Sequence, residues 1–342
     1  RIRQRLKELE KTNTNYAQLV EEFIRNDLTG FKRLYLKDRE IKNLILMGDF
    51  LTETIFREER QDNIITRAEF EKRYENTVYK TETSLSEEMD IDPEYAALIV
   101  PTMVICKDFM DLFNAEALWM PGVSLLDGIA YDFGEKKNFI KSAHNFENDI
   151  LVAARNIAKR YSTGKDHIKG TTDLALAIFD SMKKVHGMGD RERLLLQIAV
   201  QLHDCGKYIS MGDVAECSYQ IIMATEIIGL STEERQIIAN AVRYNTTEFV
   251  YYSEIAGEVG MDRSVYLLIA KLTAILRIAN AMDRSHYQKV KNMKAMLKDR
   301  TLLLTVDSEQ DISLELGLLM DKVEFFEEVF GIRLVFRRKR KV

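Results

Sequence analysis

Hydrophobic and polar positions divide the chain into stretches of different period. Residues 1–39 carry helical spacing. Asn43–Met47 (NLILM) is an unbroken apolar run stopped by Gly48, which predicts a short buried strand. Helical spacing returns over 67–115, and Asp92-Pro93-Glu94 predicts a helix start within it, because proline fits the first helical turn and Asp can cap it. Ala117–Met120 predicts a second strand, leading into Pro121-Gly122-Val123-Ser124. Strand, helices, strand is an α/β order.

The polar stretch 129–145 is the expected boundary. Beyond it the spacing predicts helices over about 146–162, 166–186, 190–204, 216–229, 231–243, 250–258 and 262–284. The tail shifts period again. LLLTV (302–306), SLELG (313–317) and IRLVF (332–336) are expected as short strands around a helix at 318–330. The fold class is therefore mainly α with an α/β part, in two domains: 1–130, and a helical 145–342 with small C-terminal strands.

Composition narrows this picture. Of 342 residues, 46% are hydrophobic and 30% charged, as in an ordinary globular protein. There are only 3 Pro, all between 93 and 121, and 16 Gly, too few turn markers for an all-β chain. No unbroken apolar run approaches the ~18 residues of a membrane helix, so no membrane partner is expected. The net charge of −5 argues against a surface coated by nucleic acid. Cys106, Cys205 and Cys217 are an odd number without C-x-x-C spacing, which fits a reducing cytoplasm better than a disulfide or thiolate zinc site. The chain opens at Arg1 inside a charged amphipathic run, so a preceding segment is expected. The terminal RRKRK (337–341) reads as a solvated end.

Candidate chemistry centres on the five histidines, His144, His167, His186, His203 and His286. In Gln201-Leu202-His203-Asp204-Cys205-Gly206-Lys207 a His-Asp pair ends an apolar helix, an expensive placement unless both groups are paired or bind a cation. Neighbours on a helix project about 100° apart, so both reach one ion only near a helix end. Gly206 supplies such an end. His167 opens a helix whose apolar face is Leu174, Ala175, Ile178 and Phe179. His167, His203 and Asp204 form a ligand set suited to one divalent metal. The same residues can instead serve as a hydrogen-bonded network between helices.

The order His, His-Asp, distant Asp resembles the HD superfamily of metal-dependent phosphohydrolases. The last acid of that pattern falls best on Asn280, with Asp283 one turn on as the substitute ligand. Further histidines of binuclear relatives fall on Cys217 and Asn245, so at most one metal is expected. Taken with Asp92–Pro101, Val123-Ser124-Leu125-Leu126-Asp127-Gly128-Ile129 and the tail LLLTVD, LELGLL, FFEEVFGIRLVF, the whole chain resembles the exopolyphosphatase / guanosine pentaphosphate phosphohydrolase family, from the second lobe of its actin-like ATPase fold to its C-terminal end. The resemblance implies a partial actin-like lobe followed by an HD-like domain. It also implies hydrolysis of a terminal phosphoanhydride of polyphosphate or guanosine pentaphosphate with Mg²⁺, and a homodimer.

The sequence departs from that family where phosphate should sit. The expected Gly-Gly-Thr turn reads Met47-Gly48-Asp49-Phe50, which leaves Gly48 and Asp49 as weak phosphate-binding candidates and puts a carboxylate beside an anion. An arginine of the family's later turn is Asp127, and Pro101-Thr102 replaces a glycine. The family's phosphate loop and catalytic acid are not found in this chain, so no catalytic residue is assigned. The expectation is a C-terminal portion that is inactive or regulatory by itself; the alternative is a stand-alone HD-type metallophosphohydrolase. Arg155, Lys159, Arg160, Lys165 and Lys169 cluster around His167 as candidates for a polyanion.

Overall fold

A computed structural model of the protein describes residues 5–6, 15–36, 39–48, 50, 55, 63–255, 261–290 and 292–338. The chain forms two compact units, 1–142 and 143–342.

In the first unit α1 (Tyr16–Phe31) is capped by Asn15 and runs into a π-helical turn at Lys32–Leu36. Strands β1 (Asn43–Ile45), β2 (Ile64–Thr66) and β3 (Ala117–Trp119) make a sheet in the order β1-β3-β2, with β1 parallel and β2 antiparallel to β3. Helices α2 (Arg67–Thr77), α3 (Glu82–Met89) and α4 (Pro93–Phe113) lie between β2 and β3 in sequence. The start of α4 is the one its sequence predicts: Asp92 Oδ1 accepts from Glu94 N at 2.8 Å and Pro93 opens the helix. Its buried face carries Ile99, Met103, Val104 and Met110 into a core shared with Val20, Phe70 and Leu118.

Two expectations change here. NLILM is not a strand buried on both faces. Only residues 43–45 are β structure, Ile45 and Met47 are exposed, and Leu44 and Leu46 alone turn inward. An edge strand of a small sheet has one face to cover, which the apolar run by itself does not reveal. Second, the expected boundary region begins inside a helix, α5 (Leu125–Lys136). Asp127 belongs to its capping box: Oδ2 accepts from Ser124 Oγ at 2.7 Å and Ser124 N at 2.8 Å. Its carboxylate serves the helix start.

The second unit contains α6 (Phe146–Arg160), α7 (Lys165–Ser181), α8 (Asp190–Leu202), α9 (Val214–Ala224), α10 (Thr232–Arg243) and α11 (Arg263–Ala281). Helix α11 is the central element and packs on α7, α8 and α10. By length and composition it could cross a bilayer, although no unbroken apolar run announces this; most of it is buried inside the unit, Arg277 included. Arg277 donates to the carbonyls of Tyr244 at 2.7 Å and Thr247 at 2.6 Å, placing a cation at the C-terminal end of α10.

The tail forms β4 (Asn292–Lys298), β5 (Thr301–Asp307), α12 (Ser313–Phe330) and β6 (Arg333–Arg338), in the sheet order β4-β5-β6. SLELG is therefore the first turns of α12 and not a strand. Asp311 Oδ1 accepts from Ser313 N and Oγ and starts the helix, and Leu319, Phe326 and Phe330 continue its buried stripe. The additional strand β4 shows period-two alternation, Met293, Ala295 and Leu297 packing inward.

Candidate metal centre

His167, His203, Asp204 and Asp283 come from three places in the second unit. His167 is the third residue of α7. His203 is the C-cap of α8, and Asp204 precedes a 3-10 turn, Cys205–Tyr208. The change from α to 3-10 geometry lets neighbouring side chains approach one point. Gly206 makes that turn possible through space: a Cβ there would lie 2.3 Å from Val214 O and 2.5 Å from Ser218 N. Its N–H donates to Ser218 Oγ at 2.8 Å. Asp283 follows the end of α11.

The hydrogen bonds fix the imidazoles. His203 is 3% exposed, and its Nδ1 donates to Val200 O at 2.7 Å. A carbonyl only accepts, so the proton is on Nδ1 and Nε2 of the neutral ring carries a lone pair. Burial pushes the His203 pKa down, against the pull of Asp204, which favours the neutral form. His167 Nδ1 donates to Asp283 Oδ2 at 2.7 Å. The two Nε2 atoms then face each other at 3.2 Å. Two lone pairs do not approach this closely without a cation or a proton between them.

Asp204 completes the group. Its Oδ1 is 3.6 Å from His203 Nε2, and its Oδ2 accepts from Lys207 Nζ at 2.5 Å. Burial by itself would raise its pKa; His203 and the Lys207 hydrogen bond outweigh that and hold the carboxyl below its ordinary range. Asp283 is placed differently from the direct ligand expected of it. Oδ2 is taken up by His167 Nδ1 and, at 3.2 Å, by Gln288 Nε2, while Oδ1 accepts from Gln288 N at 2.7 Å. It sits behind the ring, on the side away from His203, and sets the ring's tautomer, as carboxylates behind ligating histidines do. Burial is again outweighed by these hydrogen bonds, and its pKa is lowered.

His286, unassigned by sequence reasoning, joins the centre. Its ring stacks on His167 with centroids 3.6 Å apart and planes 8° apart, and Nε2 lies 3.9 Å from Asp204 Oδ2. Ligand atoms of His167, Asp204 and His286 lie within 4.8 Å of one another. The backbone of His286 is left-handed, at φ 59°, as is that of Gln288, at φ 46°. Such conformations in side-chain-bearing residues cost energy and concentrate at functional sites. Burial lowers the His286 pKa to about 4, with His167 and Lys207 adding to the shift. The available signal was the short spacing in Asp283-Arg284-Ser285-His286. A pocket of 530 Å³ opens beside Asp204 and His286, rimmed by Tyr161, Thr163, Gly164, Lys207 and Tyr208.

Other candidates lie elsewhere. His186 is structural, its Nε2 donating to Phe179 O at 2.9 Å and its Nδ1 accepting from Met188 N. His144 pairs with Asp149 at an exposed site. Asn280 is buried in α11, and Cys217 is half-buried on α9. Gly48 has φ +137°, open only to glycine, but a Cβ there would meet nothing within 4 Å; Asp49 lies outside the described residues.

Residues 152–324, which include the whole centre, match the family model for Ppx/GppA phosphatase, domain III. No curated protein matches the chain.

Proposed function

Because the chain belongs to the Ppx/GppA phosphatase family, we propose that its helical unit holds one divalent cation at His167, His203 and Asp204 and hydrolyses phosphoanhydride or phosphate-ester bonds in the adjoining pocket. The observation that carries this reading is the 3.2 Å approach of two Nε2 atoms whose rings both use Nδ1 elsewhere. Two neutral imidazoles and one carboxylate fit Zn²⁺ or Mn²⁺ in charge and donor type better than Mg²⁺, which prefers oxygen donors. A divalent cation held there supplies Lewis-acid polarisation of a phosphoryl oxygen.

The chain's own residues supply the rest. Asp283 orients His167, and Val200 O orients His203. Lys207 balances Asp204 and gives the pocket a positive rim for a phosphate. Polyphosphate and guanosine pentaphosphate, the substrates implied by the family resemblance, both present terminal phosphoanhydrides to such a rim.

A second reading has its own support. The same network closes if a proton bridges the two rings: His167 as imidazolium would donate to both Asp283 and His203. The centre would then be a strut between helices, and the chain would be regulatory.

Phosphate release from inorganic tripolyphosphate and guanosine pentaphosphate separates the two. The metal reading expects release that requires Mn²⁺ or Mg²⁺ and falls at least about 100-fold in Asp204→Asn, as expected when a ligand of a catalytic cation is lost. Release indifferent to Asp204→Asn, or none with any divalent ion, contradicts it and favours the strut.

A further inference from the structure

Glu315, the third residue of α12, is 2% exposed. A carboxylate so deeply buried needs partners close by. It has two, and both come from the short loop between α11 and β4. Ser285 Oγ donates to Oε1, and Lys289 Nζ donates to Oε2 at 3.3 Å. These two partners stand on either side of His286 in the chain.

The same loop carries the left-handed residues of the centre, His286 and Gln288. Its internal hydrogen bonds return to Asp283: His286 N–H donates to Asp283 O at 2.9 Å, and Gln288 N–H donates to Asp283 Oδ1 at 2.7 Å. Bonds between members of one loop shape it but do not fasten it to the unit. Among the described residues, its side-chain hydrogen bonds to other elements are that of Asp283 with His167 and those of Ser285 and Lys289 with Glu315. Left-handed conformations in side-chain-bearing residues persist where their surroundings over-determine them, and Glu315 supplies two of these three fastenings.

We infer that Glu315 is a positioning residue of the histidine centre: from the C-terminal helix it holds the loop that lays the His286 ring on His167 and backs Asp283 with Gln288. None of its side-chain hydrogen bonds among the described residues is to His167, His203 or Asp204, so it acts through the loop. The inference rests on the metal reading for its effect on cation binding, and on the loop geometry alone for the fastening itself.

The test is hydrogen exchange of the full chain in EDTA, read by mass spectrometry over residues 285–290, with Mn²⁺ binding to the chelator-treated protein alongside. Glu315→Ala should speed exchange over 285–290 at least about tenfold, as expected when charge-assisted hydrogen bonds are lost, and leave α8 and α9 unchanged. Ser285→Ala removes one fastening with little loss of volume; it should speed the same segment by a smaller factor, and it decides the question should Glu315→Ala not fold. Glu315→Ala should also weaken Mn²⁺ binding about tenfold, the lower end of the effect of losing a group that orients ligands. Unchanged exchange over 285–290 in both variants, or acceleration spread equally through α8 and α9, would overturn the fastening. A freed loop with Mn²⁺ affinity intact would overturn the positioning role. A wild type that binds no Mn²⁺ contradicts the metal reading instead, and exchange in EDTA then decides whether Glu315 holds the loop.

Discussion

Residue by residue, the centre depends on which nitrogen of each imidazole is already committed. His203 and His167 spend Nδ1 on Val200 O and Asp283, so both present Nε2 to the same space. His286 shows the electrostatic consequence. In the unfolded chain it takes up a proton as pH falls through 6.5, but in the folded protein it resists until about 4. Between these values the unfolded state binds more protons, so stability rises with pH and is lost on acidification. His203, also lowered, acts in the same sense. Denaturant unfolding in EDTA should therefore show a free energy that falls from pH 6.5 toward 4, and His286→Gln should make that slope shallower. Identical slopes in the two proteins would show that His286 is not held neutral. The sequence makes His167, His203 and Asp204 legible because a His-Asp pair at the end of an apolar helix is costly without a partner. It does not reveal His286, whose place depends on a left-handed turn beyond the helix, where periodicity carries no information. Nor does it show that Asp283 stands behind the His167 ring, on the Nδ1 side, and not beside the two facing Nε2 atoms, because spacing along the chain does not say which ring nitrogen a carboxylate meets.

Among the elements, helix starts are legible where a side chain marks them, as at Asp92-Pro93, and strands are less so. SLELG and NLILM are both short apolar segments, and their surroundings decide the outcome: the buried stripe of α12 continues the first into a helix, and a single covered face limits the second to an edge strand. Alternation in β4 is present but weak: Met293, Ala295 and Leu297 carry it, and Met296 interrupts it with an apolar side chain on the exposed face. The 3-10 turn after α8 is the element the centre can least spare. Gly206 packs its backbone directly against the first turns of α9. Gly206→Ala should force the turn away from Val214 and Ser218 and destabilise the protein by about 3 kcal/mol, the upper end of the usual cost of overpacking. Thermal and urea unfolding measure this. A change below about 0.5 kcal/mol, the range of neutral surface substitutions, would mean that the turn is not closely packed.

In the molecule as a whole, two units have separate hydrophobic cores. The first has a small three-stranded sheet with helices, and the family match lies wholly in the second, over 152–324. The second brings the pocket and every member of the histidine centre into one core built around α11. The proposed function stands or falls with a cation at this centre. Titration of Mn²⁺ into the chelator-treated protein, with bound metal measured, decides that, and Asp204→Asn and Asp283→Asn serve as companions. The prediction is one ion per chain in the wild type, binding abolished in Asp204→Asn, and affinity lowered about 10- to 100-fold in Asp283→Asn, where the ring's tautomer is released. No saturable binding in the wild type, or binding unaffected by both substitutions, would contradict it.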